Sequence, residues 1–269
     1  MKIRHIMILS AMMLMMTSCI SERVERKEPS GKKYSETIAD KTFKDIRVCA
    51  FFEITLHKSD KYSVDIEVSE ELKDHLKAEV NDGELLLCLD DEYGECPQYT
   101  NLKARADIYL PSFGKIDLSG AASLETADTF RVDKAEFYLS GASEIDKFHM
   151  IAAGADVRAS GSSSMDAEIY ADSLLMRVSG ASDIELKAIG SKVGKYCGLD
   201  ITGASETDVM ELPYENVKVN CSGASEISVC PTKKLRGRAS GASGIQYRRT
   251  SKDLNIDVAT SGASSLKEK

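Results

Sequence analysis

One four-residue phrase, Ser-Gly-Ala-Ser or a near copy, returns eight times between Ser119 and the C-terminus. Its glycines are Gly120, Gly141, Gly161, Gly180, Gly203, Gly223, Gly241 and Gly262, at intervals of 18 to 23 residues. Self-similarity at a period near twenty is the mark of stacked coils. It constrains shape far more than chemistry.

The flanking residues say what kind of coil. One position before the phrase stand Leu118, Leu139, Ala159, Val178, Ile201, Cys221, Ala239 and Thr260. Three before stand Ile116, Phe137, Val157, Met176, Leu199, Val219, Gly237 and Val258, with mostly polar residues between the two sets. That period of two belongs to half-buried strands, not helices. Past the phrase the apolar position returns as Leu124, Ile145, Met165, Ile184, Ile227, Ile245 and Leu266, with Thr207 the exception. Each repeat reads as strand, tight corner, strand and variable segment. The expected fold is all-β, a parallel β-helix or β-solenoid with about 20-residue coils. In the phrase, glycine supplies a positive φ for the corner, and the small neighbours stack from coil to coil. The serine hydroxyls can bond backbone groups that the corner leaves unpaired.

Residues 1–18 carry Lys2 and Arg4, then an apolar run from Ile6 to Met16, then Thr17-Ser18 before Cys19. A basic start, a short apolar stretch and small residues define an export signal. Cys19 stands where a bacterial lipobox places its lipid-modified cysteine, although Met16 replaces the usual leucine. This predicts a lipoprotein anchored to a membrane, most simply the outer membrane, with its orientation open. Residues 19–33 read as a charged, flexible tether.

Residues 34–112 are β-rich but lack the phrase. Phe52, Ile54 and Leu56 alternate with polar residues, as do Tyr62, Val64, Ile66 and Val68, and Asn81-Asp82-Gly83 signals a hairpin. The segment reads either as a small β-domain or as irregular early coils, and in both cases it caps the solenoid of residues 113–269. The last coil, ending in Lys267-Glu268-Lys269, reads either as a self-association surface or as an edge blunted by charge.

The net charge of −8, without a basic run, sets nucleic-acid binding aside. Export permits disulfides. Cys88 and Cys96 are expected to clamp a loop, and Cys221–Cys230 is a weaker pair. Buried, unpaired thiols are the preferred reading for Cys49, Cys197 and Cys221. No zinc-type Cys-x-x-C motif, nucleophile elbow, paired-histidine motif or phosphate loop occurs. No cofactor and no catalytic residue is therefore expected. The position after the phrase places Asp183, Glu206 and Glu226 in consecutive coils, a weak candidate column for a cation and more simply a solvated face. Arg158, Arg177 and Arg238 form a broken outward stripe.

Strands ending in Ser-Gly-Ala-Ser at this spacing resemble the head GIN domain, a domain of unknown function named for the head of autotransporter adhesins. Phe43-Lys44-Asp45-Ile46-Arg47-Val48 and Phe52-Glu53-Ile54-Thr55-Leu56 resemble its opening. Ile108-Tyr109-Leu110-Pro111 and Lys115-Ile116-Asp117-Leu118-Ser119-Gly120-Ala121 resemble the start of its repeats. The likeness spans roughly residues 38 to 266 and transfers no catalytic residue. It implies a non-enzymatic, cell-envelope adhesin whose surface binds protein or glycan. The alternatives are an envelope scaffold without a dedicated ligand and, behind it, a β-helix enzyme acting on acidic polysaccharides.

Overall fold

The computed structural model describes residues 27–90 and 100–269. Its strands are β1 (Lys33–Ala39), β2 (Asp45–Val48), β3 (Glu53–Lys58), β4 (Ser63–Ser69), β5 (Leu76–Asn81), β6 (Glu84–Leu89), β7 (Ala104–Leu110), β8 (Lys115–Leu118), β9 (Ser123–Glu125), β10 (Thr129–Leu139), β11 (Glu144–Ala159), β12 (Ser164–Val178), β13 (Asp183–Ala188), β14 (Gly194–Ile201), β15 (Glu206–Cys221), β16 (Glu226–Ala239), β17 (Gly244–Tyr247), β18 (Asn255–Thr260) and β19 (Ser265–Glu268). From β8 onward they wind as a right-through stack of parallel coils about 20 residues apart, a β-solenoid.

Two columns of strands run along it. Strands leading into the phrase stack as β2–β8–β10–β11–β12–β14–β15–β16–β18. Strands leaving it stack as β3–β9–β11–β12–β13–β15–β16–β17–β19. Long strands turn where alternation skips: in β11, Asp146-Lys147 and Ala153-Gly154 both leave two successive residues uncovered. Lys147 has φ 51, and the register with β12 shifts beside it, so one extra residue bends the strand as a bulge does.

The inward columns form one continuous core, with Ile116, Phe137, Leu174, Cys197, Val219, Ile227 and Ile245 at or near zero exposure. Near its N-terminal end Phe113, Phe130, Phe137 and Phe148 pack with centroids 5.4–6.4 Å apart. Burying each such ring or aliphatic chain contributes about 2 kcal/mol. In the final coil Ile256, Val258 and Leu266 are only partly buried.

The strands of the N-terminal segment pair directly with those of the coils. β2 and β3 form a coil that pairs with β8 and β9, some 70 residues later. On its other side the same coil pairs with β6 and β7. Antiparallel strands then close this end: β5 on β6, β4 on β7 and β1 on β4. The β5–β6 hairpin turns at Asp82 and Gly83, both with positive φ. Antiparallel pairing ends the parallel ladder and covers its core.

The cysteine expectations need correction. Cys88 bonds to Cys49, with Cα atoms 4.8 Å apart, instead of to Cys96, which lies outside the described residues. Spacing along the chain favoured Cys96, but the pairing of β2 with β6 brings residue 49 beside residue 88. Cys49 is thus not a free thiol. Cys197, Cys221 and Cys230 are free and buried, so no Cys221–Cys230 bridge forms.

Candidate functional site

The phrase builds the corner shared by the two columns. All eight of its glycines have φ between 71° and 87°. A Cβ on Gly141 would stand 2.5 Å from the Gly120 carbonyl oxygen, and one on Gly180 would stand 2.3 Å from that of Gly161. The backbones approach this closely because the next residue's amide donates to that same carbonyl, as in Ala181 N to Gly161 O at 2.8 Å. The corner therefore needs glycine both for its dihedral and for the space above it.

The fourth residue of the phrase points inward. Ser163, Ser182, Ser205, Ser225 and Ser243 are buried. Each hydroxyl donates to the carbonyl three residues earlier, at 2.7–3.1 Å, and several reach the preceding coil, as Ser225 Oγ does to Gly203 O at 3.1 Å. These serines satisfy corner carbonyls inside the molecule. They do not line a contact surface.

The face that leaves the phrase is acidic. Asp183, Glu206 and Glu226 stack in register on consecutive coils, with Glu185 and Asp208 forming a second column beside them. Glu226 accepts a hydrogen bond from Gln246 Nε2 of the next coil. Among the described residues no three His, Cys, Asp or Glu side chains converge as ligands for a metal ion. The column is a ladder along the sheet, which spreads its carboxylates rather than gathering them. An open groove of about 510 Å³ on this face is lined by Glu53, Arg105, Asp107, Glu125, Glu144 and Asp146, among others.

The adjoining face, leading into the phrase, divides lengthwise. In its N-terminal half the basic groups are neutralised. Arg47 reaches Glu84 and Asp117 at 3.3 and 3.5 Å, Lys115 reaches Glu84 at 2.8 Å, and Arg158 reaches Asp156 at 3.1 Å. The hydrogen bond from Lys115 to Glu84 raises the lysine's pKa, which favours its charged form. In the C-terminal half Arg177 has only a 3.8 Å contact with Asp156. Lys218, Lys234, Arg236 and Arg238 have no carboxylate partner among the described residues. The predicted stripe is broken accordingly: Arg158 and Arg177 sit on adjacent coils, and Arg238 sits three coils beyond Arg177.

The free thiols and Tyr214 are shut away. Burial pushes the Cys197 thiol and the Tyr214 hydroxyl well above their ordinary ranges. The Tyr214 hydroxyl and the Thr207 hydroxyl lack hydrogen-bond partners in the core. His57 and His75 contact Asp107 and Asp90 at the surface, at 2.7 and 3.0 Å. Cys19, the expected lipidation site, lies outside the described residues.

Solved structures share this architecture. A putative adhesin from Parabacteroides distasonis superposes with a TM-score of 0.77 at 18% identity, over 91% of this chain and 100% of that one. A putative adhesin from Parabacteroides merdae gives 0.75 at 17% identity, over 91% and 99%. A protein from Parabacteroides distasonis described as a putative lipid binding protein gives 0.76 at 19% identity, over the same shares. At these identities the likeness shows the fold alone. No curated protein matches the sequence significantly. A family profile does match, over residues 42–251, from the first coil to the penultimate one. The chain belongs to the family described as putative auto-transporter adhesin, head GIN domain.

Proposed function

We propose that this protein is a non-enzymatic adhesin of the cell envelope, lipid-anchored through Cys19, that displays its solenoid as a binding surface. The observation that carries the reading is the distribution of chemistry over the fold. The buried serines serve the corners, the buried thiols are inert, and charged side chains stand in register along broad open faces. Such a surface suits recognition of an extended partner, whereas turnover needs convergent groups in a site that excludes water. Family membership supports the same reading. The leader and Cys19 supply the anchor in this proposal.

The test is protease shaving of intact producing cells, followed by an immunoblot for this protein. Loss of the band supports surface display and adhesion. Protection in intact cells, with digestion after lysis, would put the solenoid on the inner side and turn the reading toward an envelope scaffold.

A further inference from the structure

The basic half of the phrase-leading face carries a notch. Outward residues there form a grid whose rows are coils: Leu175, Gly198, Lys218 and Arg236 follow one another in register, as do Arg177, Asp200, Asn220 and Arg238. Gly198 leaves a hollow of about 150 Å³ in this grid, walled by Leu175, Arg177, Tyr196 and Lys218. A Cβ at 198 would lie 3.0 Å from Leu175 Cδ2, and 3.1 and 3.2 Å from Tyr196 Cε1 and Oη. Tyr196 therefore leans across the glycine, and its half-buried ring lies along the sheet surface.

Around it stand Arg177, Lys218, Lys234, Arg236 and Arg238, opposed on the grid by Asp200 and Asp257 and, at 3.8 Å from Arg177, by Asp156. This excess survives in a chain of net charge −8. Left alone, unpaired like charges on adjacent coils repel, and an anion relieves that repulsion. Every strand here is hydrogen-bonded to neighbours on both sides, so an extended peptide finds no free edge to join. Recognition must come from side chains: a flat aromatic surface in a shallow notch, with cationic groups beyond it.

We propose that the Gly198 notch and the adjoining basic ladder bind an anionic glycan. One sugar ring packs on Tyr196, and its carboxylate or sulfate lies between Lys218 and Arg236. This deepens the adhesin reading and rests on its binding role.

The experiment measures retention of the full chain on immobilised hyaluronan, heparin, uncharged dextran and polyglutamate. Binding to hyaluronan or heparin, and not to dextran, is expected. Lys218→Gln with Arg236→Gln should weaken it about tenfold or more, since charge-assisted bonds are lost. Tyr196→Ala, or Gly198→Thr to displace the ring, should weaken glycan retention while leaving any polyglutamate retention unchanged. Unchanged melting temperatures exclude misfolding, and the single Tyr196→Leu variant, which also removes the ring, serves if one of the others does not fold. Glycan binding indifferent to all these variants would overturn the notch and leave adhesion standing. Equal retention on polyglutamate with no effect at Tyr196 would reduce the site to bare charge and overturn it too. Variants that dissolve a dimer instead would assign the face to the acidic ladder of a second copy. Absence of all retention from a protein that shaving places outside the cell overturns this inference alone. Protection from shaving strikes the adhesin reading itself.

Discussion

Replacing Gly180 with alanine should damage the stack far more than its size suggests. Gly180 has φ 84, where an L-residue loses about 1–2 kcal/mol. Its new Cβ would stand 2.3 Å from Gly161 O and 2.9 Å from Gly161 N, about 1 Å too close for non-bonded atoms. Opening the coils by that distance would stretch the 2.8 Å bond from Ala181 N to Gly161 O out of hydrogen-bonding range. The lost bond costs about 1 kcal/mol and the forced repacking about 1–3. The total is about 3–6 kcal/mol. Gly190 provides the control, because it has φ 77 but nothing within 4 Å of a built Cβ, so Gly190→Ala should cost about 1–2 kcal/mol. The two variants should differ in urea midpoint by about 1 M. Midpoints should be followed by circular dichroism and by tyrosine fluorescence, since the chain has no tryptophan and repeat arrays need not unfold in one step. Equal losses for the two variants would refute the argument that stacking, beyond the dihedral, demands glycine.

Four more outcomes are expected. Ala50 holds φ 69 at the first corner, so Ala50→Gly should stabilise the protein by about 1 kcal/mol, read as a raised melting temperature; a drop would show that its methyl is needed there. Thr207→Val, removing an unpartnered hydroxyl from an aliphatic column, should stabilise by about 1–2 kcal/mol in denaturant melts, and destabilisation would mean the hydroxyl has a partner. Replacing both Cys49 and Cys88 with serine should cost about 4 kcal/mol by the loop-closure estimate for a separation of 39, with hydrogen exchange rising first in β5 and β6; exchange rising evenly along the solenoid would contradict that. Hydrogen bonds from Lys195 and Tyr170 hold the Asp172 carboxyl below its usual range. The stability they give is present above about pH 4 and lost as pH falls through the folded-state value. Asp172→Asn should therefore be less stable than the parent near neutrality and converge with it in acid. A gap that widens in acid would reverse the assignment.

How much could be read ahead varied with distance along the chain. Residues one period apart are spatial neighbours, so inward columns such as Ile116, Phe137 and Val157 announce themselves as a period of two repeated every twenty residues. The first corner was not visible. Residues 49–52 read Cys-Ala-Phe-Phe, yet Ala50 adopts the left-handed conformation and accepts the amide of Ala121 as the glycines do in later coils. The Tyr196–Gly198 notch also escaped notice. Its one trace in the sequence is a glycine in a column otherwise filled by outward side chains.

The sequence by itself determined the coil, its period, the buried columns and the need for glycine at the corner, because these follow from local geometry repeated at a fixed interval. Tertiary structure alone decided three matters. The first coil sits between two later segments, β6–β7 and β8–β9, because a parallel ladder can be extended from either side. That same arrangement brings Cys49 to Cys88. And which charges are neutralised depends on which residues fall opposite one another across coils: Arg47 meets Asp117, whereas Lys218 meets Gly198 and Arg236. That register, set by coils of unequal length, leaves the basic ladder uncompensated.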